Sequence, residues 1–257
     1  MHAFKAAPAG RAAPDEETSK GGTVTAREDF DAWLAANPRG ELSTWLREIN
    51  EPDWTATVAH PFTDALAAGT LASDVFARYL VQDYGFVDPF TALLGFAVGR
   101  APAMADRLML GQFMGMLTSD ENTFFERAFD AYDVSAESRT APSYFTATRD
   151  FRALLADTGE TGSYAEILAV LVVTEWIYLS WAQRIVQAPD IEPFYREWIG
   201  LHDNPAFVRF VGWLTQRLDE TARDLPPDAF QRVVERFHTA VTLERRFHDA
   251  CWTGADA

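Results

Sequence analysis

The chain is poor in cysteine and in lysine. Cys251 is the only cysteine among 257 residues, so no disulfide can close within the chain and no cysteine-based zinc site can be built. A lone thiol suits a reducing cytoplasm, the compartment expected here. Lys5 and Lys20 are the only lysines, and 22 Lys and Arg face 38 Asp and Glu for a formal net charge of −16. Such a surface repels phosphate backbones and anionic lipid, which excludes nucleic acid and membranes as general partners. The nearest approach to a long apolar run, residues 163–182, is interrupted by Glu166, Thr174 and Glu175, so no transmembrane helix is expected. Strand-like alternation and Asn-Gly hairpin turns are missing. So are HExxH, CxxC, repeated ExxH, GxSxG, P-loop and GxGxxG patterns. Covalent serine chemistry and phosphate cradling therefore have no support in the sequence, and no metal or cofactor is expected.

Helical periodicity fills the rest of the chain. Hydrophobic residues make up 48% of it, enough for a substantial core. The pattern predicts helices over about 27–36, 41–49, 54–69, 73–100, 103–131, 143–157, 164–187, 191–200, 204–223 and 226–252. Ser73 and Ser163 are the expected N-caps of their helices, and Pro226-Pro227 suits a helix start. Pro89 should kink the helix over 73–100. "DTGETGS" at 157–163 reads as a loop. Residues 1–25, rich in Ala, Gly and Pro, are expected to form a disordered tail. Residues 26–253 are expected to form one all-α domain, a bundle of roughly eight to ten helices.

Three helices carry polar residues on apolar faces. Asp83 sits in "YLVQDYGFVDPF" with Phe76, Tyr79, Phe86 and Phe90 at helical spacing, and a carboxylate there is costly unless something pairs with it. Thr174 and Glu175 lie in "ILAVLVVTEWIYLSWAQR", where Thr174, Tyr178 and Trp181 share a face. A mid-helix threonine commonly bonds its own i−4 carbonyl. Glu244 stands near Phe237, Val241, Phe247, His248 and Cys251, and its plain structural role would be pairing with Arg245 or Arg246. Glu244 and His248 also have i, i+4 geometry for a metal, but one such pair is weak evidence.

Taken together, "HPFTDALAAGTLASDVFARYLVQDYGF", "SYAEILAVLVVTEWIY", "YREWIG" and "LERRFHDACW" resemble the TenA family, the thiaminase II hydrolases of the heme-oxygenase-like fold. The resemblance spans about residues 54–252. It implies that Asp83 binds an aminopyrimidine ring, that Phe247 packs on that ring, that Glu244 is the acid and base, and that Tyr178 lines the site. Family tyrosines align with Phe86, Thr146 and His202, which gives those three positions substrate-binding roles. Where thiamin-cleaving members carry Pro-Cys, this chain has Val173-Thr174. A threonine hydroxyl is a poor nucleophile without a strong base, so the resemblance is to the branch that lacks the nucleophilic cysteine.

That branch implies a hydrolase of thiamin salvage acting on an aminopyrimidine-type breakdown product or its formylamino form, with Glu244 activating water. Thr174 joins the binding set, and Glu121, Glu175 or His202 could supply a further polar group. The family also implies a homodimer or homotetramer with a small-molecule substrate. Two alternatives stay open: a binder that has lost its chemistry, and a different, metal-dependent oxidative enzyme on the same scaffold. For a haem enzyme His60 is the one candidate proximal ligand. Residues 26–53 precede the His-Pro-Phe segment and are candidates for covering the pocket mouth or an oligomer contact.

Overall fold

A computed structural model describes residues 25–255. The expected tail lies outside the described residues except for Thr25, which is the N-cap of the first helix. Thirteen α-helices and no strands occur among the described residues. They are α1 (Ala26–Ala36), α2 (Leu42–Ile49), α3 (Asp53–Val58), α4 (Pro61–Ala68), α5 (Ser73–Arg100), α6 (Met104–Met116), α7 (Asn122–Ala131), α8 (Ala136–Thr140), α9 (Thr146–Thr161), α10 (Tyr164–Arg184), α11 (Pro193–Leu201), α12 (Pro205–Ala222) and α13 (Pro227–Thr253).

The count exceeds the eight to ten expected because helical periodicity does not register short interruptions. The segment predicted as 54–69 is two helices. His60 breaks it as the N-cap of α4, with its side chain accepting from the Phe62 N–H at 3.1 Å and Pro61 taking the first helical position, where no donor is needed. The segment predicted as 103–131 is split by a π-helical turn, Leu117–Glu121, between α6 and α7. "DTGETGS" is mostly helix, since α9 runs on to Thr161. Gly159 is tolerated there because the Phe96 ring occupies the space its Cβ would need, approaching to 2.7 Å. Ser163 does cap α10, in a capping box with Glu166. Ser73 does not cap α5: it is the first helical residue, after Ala72. Pro89 lies inside α5, which remains helical on both sides of it.

α10 is the central element. It passes the length and hydropathy test for a membrane span, yet 78% of that apolar window is buried inside the protein. Sixteen of its side chains are buried, in a run from Tyr164 to Glu175 and on to Ala182, as expected for a helix surrounded by others. α5, α9, α12 and α13 pack around it. One continuous hydrophobic cluster extends from Phe30 on α1 to Cys251 on α13.

The helices ahead of the His-Pro-Phe segment clasp α12 and α13. The Arg27 guanidinium donates to the carbonyls of Arg223 and Leu225, Phe30 meets Phe230 at 5.6 Å between centroids, and Asp219 accepts from the Ser43 N–H at 2.6 Å and its hydroxyl at 3.0 Å. None of the residues lining the main cavity comes from α1 or α2, so the α1–α2 arm does not cover the pocket mouth.

Leu214 is fully buried on α12, which packs against α10. Replacing it with alanine removes three buried carbons and leaves a void, so Leu214→Ala should cost about 2–5 kcal/mol in urea unfolding. A loss below about 1 kcal/mol would mean the α10–α12 contact is not a stabilising element.

Candidate active site

The main cavity opens among α5, α6, the π turn, α9, α10 and α13, with about 550 Å³ of space between its walls when the part open to solvent is included. Its wall has two halves. Phe86, Val87, Phe90, Phe113, Leu117, Phe151 and Leu155 are apolar; Asp83, Glu121, Thr174, Glu175, Tyr178, His202 and Glu244 carry the polar groups.

α5 presents Asp83, Phe86, Val87 and Phe90 on one stripe because steps of three and four residues return to one helix face. Asp83 is 7% exposed and is held by the Tyr178 hydroxyl, which donates to its Oδ1 at 2.8 Å. Tyr79 and Tyr178 hydroxyls lie 3.1 Å apart. A phenol has a single O–H, and Tyr178 gives its own to Asp83, so Tyr79 is the donor in that pair. Burial still outweighs these bonds and raises the Asp83 carboxyl to about 7.

Thr174 and Glu175 are neighbours on α10, and both face the cavity. The Thr174 hydroxyl is 3.0 Å from the Leu171 carbonyl and 3.3 Å from that of Val170, the back-bonding expected of a mid-helix threonine. Glu175, 9% exposed, is raised to about 8 chiefly by burial, with the Asp83 charge adding to the rise. On α13 Glu244 is 3% exposed, and burial, then Asp83 and Glu175, push it well above the ordinary carboxyl range. Neither neighbouring arginine reaches it: Arg245 pairs with Asp249 and Arg246 with Asp150. Glu121 reaches the cavity from the π turn and is raised by burial and by Glu175 and Asp83. Among the described residues no Lys or Arg pairs with any of the four carboxyls.

His202 is drawn down to about 4 by burial. Its Nδ1 lies 2.9 Å from the Trp198 carbonyl, so that nitrogen carries the proton and Nε2 is an acceptor. The site thus offers acceptors and carboxyl groups, and its two hydroxyl donors are already engaged.

The structure brings most of the sequence-predicted residues together: Asp83, Phe86, Glu121, Thr174, Glu175, Tyr178, His202 and Glu244 all line the cavity. Phe247 does not. It is fully buried behind Phe86, which stands between it and the cavity, 5.0 Å between centroids and edge to face. Thr146 does not line the cavity either. It opens α9, where its hydroxyl accepts from Arg149 at 2.8 Å. Phe113, Leu117, Phe151 and Leu155 line the wall without being singled out by sequence reasoning. Their four-residue spacing is the only signal, and any core helix shows it.

The metal and haem alternatives find little in the donor geometry. His248 Nδ1 is 2.9 Å from the Glu244 backbone carbonyl. His60 has Nδ1 on the Phe62 N–H and Nε2 3.2 Å from Asp249, and no group of three or more His, Cys, Asp or Glu is spaced to hold a metal ion among the described residues.

Residues 48–254 match the TENA/THI-4/PQQC family. The chain belongs to that family. Its relatives in the family include the aminopyrimidine aminohydrolase of Halalkalibacterium halodurans, 27% identical over 80% of this chain and 93% of that one. The aminopyrimidine aminohydrolase of Helicobacter pylori is 23% identical over 82% and 99%. The fold is that of a TenA homologue from P. horikoshii, with a TM-score of 0.73 at 21% identity over 84% of this chain and all of the other. The all-α TenA-type bundle read from the sequence is therefore the fold, and the family match takes in the His60-Pro61-Phe62 segment and all the cavity residues.

The raised carboxyls make stability pH-dependent. Asp83 and Glu175, at about 7 and about 8 when folded, ionise near 4 when unfolded. The folded state therefore binds more protons in this window, and stability rises as pH falls from 8 to about 6.5. Below about 6.5 the unfolded state protonates His202 and His248, both near 4 when folded, and this offsets part of the gain. The urea midpoint should increase from pH 8 to about 6.5, and Glu175→Gln should flatten that slope. A midpoint that falls over this interval would show the carboxyls ionised in the folded protein.

Proposed function

We propose that the protein is an aminopyrimidine aminohydrolase of thiamin salvage that hydrolyses an aminopyrimidine-type breakdown product of thiamin without a cysteine nucleophile. The observation that carries this reading is the cavity itself: four carboxyls and a neutral histidine with no cation among them. Such a site is complementary to a ligand that brings N–H donors and positive charge. An aminopyrimidine bearing an aminomethyl group does both, and its flat ring fits the aromatic half of the wall.

Asp83, fixed by Tyr178 and through it by Tyr79, accepts from the ring amino group and partners the adjacent ring nitrogen. Phe86, Phe90 and Phe151 flank the ring. Glu244 is held protonated by burial and serves as the acid at the scissile bond. The carbon–nitrogen bond breaks, ammonia leaves with the Glu244 proton, and water supplies the oxygen of the hydroxymethyl product. Cleavage of thiamin at its methylene needs a thiolate. Thr174 supplies none, and Cys251 is fully buried with burial raising its thiol. Loss of the tyrosines expected at the positions of Phe86 and His202 leaves fewer hydroxyl donors and a more apolar wall.

The same reading makes the protein a cytoplasmic homodimer or homotetramer. Phe96 on α5 and Met104 and Leu108 on the adjacent α6 are exposed apolar side chains, and a second copy would cover them. Light scattering after gel filtration should give a mass of two or four chains; a single-chain mass removes the oligomer from the proposal.

Purified protein should convert the aminomethyl pyrimidine to its hydroxymethyl product, followed by mass, and leave thiamin intact. Glu244→Gln should lower kcat by about 10²–10⁴, and Asp83→Asn should raise KM by roughly tenfold or more. Thiamin cleavage would show that a nucleophile other than cysteine acts here. Unchanged kcat in Glu244→Gln would remove that residue from the chemistry.

A further inference from the structure

We infer that Glu175 is a second proton-transfer group of this site, the base that takes the proton of the attacking water while Glu244 acts as the acid. The inference rests on the aminohydrolase reading above. Its ground is placement. Glu175 and Glu244 come from adjacent packed helices, α10 and α13, and line the same cavity. Glu175 is 9% exposed and Glu244 3%. Neither carboxyl has an arginine or lysine partner among the described residues. Such burial is costly for a purely structural carboxyl, which would be paired or replaced by an apolar side chain. The cost is consistent with a group kept for proton exchange with a ligand.

Two carboxyls flanking one cavity can divide acid and base work, because each charge opposes ionisation of the other. The groups facing Glu175 are Thr174 beside it, Asp83 and Tyr178, Glu121 from the π turn, His202, and Glu244. None is cationic, so nothing in the site holds both carboxyls ionised. Glu175 settles at about 8 while Glu244 and Glu121 are pushed well above the ordinary carboxyl range.

The cycle balances with these two groups. Glu244 gives its proton to the departing nitrogen as the carbon–nitrogen bond breaks. Water forms the new carbon–oxygen bond and passes a proton to ionised Glu175. Moving that proton from Glu175 to Glu244 through solvent restores the starting state. The sum is amine plus water to alcohol plus ammonia, with no oxidant or further reactant. Thr174 performs no displacement here: its single hydroxyl proton goes to the Leu171 and Val170 carbonyls.

The test uses Glu175→Gln and Glu175→Asp in the full-length protein, with the aminomethyl pyrimidine as substrate and its hydroxymethyl product as binding probe. Gln is an isostere of the protonated acid, so Glu175→Gln should fold and bind the product within about threefold of wild type. Its kcat should drop 100-fold or more, with loss of the limb of the pH–rate profile that rises as a carboxyl ionises. Glu175→Asp should recover part of the rate and the limb. Wild-type turnover together with a Glu175→Gln kcat within a few fold and the same pH limb would overturn the assignment and leave the aminohydrolase reading standing. Equal loss of product binding and turnover would also overturn it, marking Glu175 as a structural or binding group. Wild-type protein inactive on every aminopyrimidine would overturn the aminohydrolase reading and this one with it.

Discussion

Four carboxyl groups share one buried cavity, and the protein places no positive charge among them. This constraint organises the rest of the site. Desolvation and mutual repulsion both act against ionisation, and among the described residues one hydroxyl opposes them: Tyr178 donates to Asp83 and is backed by Tyr79. The arginines on the same helices point elsewhere. Arg245 and Arg246 close surface pairs with Asp249 and Asp150 and leave Glu244 to the cavity. A site built this way waits for a ligand that supplies N–H donors and charge.

The bundle makes that site affordable. α10 is buried along most of its length, so two polar residues in its middle can only face other helices or a cavity. The aromatic clusters around it hold the walls: Phe124 stacks on Trp198 at 5.0 Å, and Trp198 meets the His202 ring at 4.5 Å. His202 is thus fixed in ring orientation by packing and in tautomer by the Trp198 carbonyl. The π turn does comparable work on the opposite side. Its extra residue changes the helical register between α6 and α7, and Glu121 enters the cavity from its last position. Turns of this kind often occur where function needs a side chain re-aimed.

Much of the site was legible because helical spacing and a short motif speak for single helices. Asp83 stood out as a carboxylate in an aromatic stripe, and His60-Pro61-Phe62 carried the family resemblance, although periodicity ran one helix across the start that His60 caps. Glu244 was different: by spacing alone it looked like a partner for Arg245 or Arg246, and only the resemblance raised it. Phe113 on α6 with Leu117 at the start of the π turn, and Phe151 and Leu155 on α9, carried no signal beyond that of ordinary core. Phe247 and Thr146 differ: the resemblance gives both substrate-binding roles, and neither is among the residues that line the cavity, since Phe247 packs behind Phe86 and Thr146 opens α9.

What the sequence by itself determined is local. Apolar periodicity set most of the helices, serine and proline marked some of their ends, and the single cysteine excluded a disulfide within the chain. These follow from interactions within a few residues, which a linear pattern records. What the tertiary structure decided is which faces meet. Asp83, Glu121, Glu175 and Glu244 lie on four separate segments, and their common cavity depends on the packing of α5, α10 and α13 and on a π turn that periodicity did not reveal. Their electrostatics follow from that meeting, because desolvation and repulsion between carboxyls act through space.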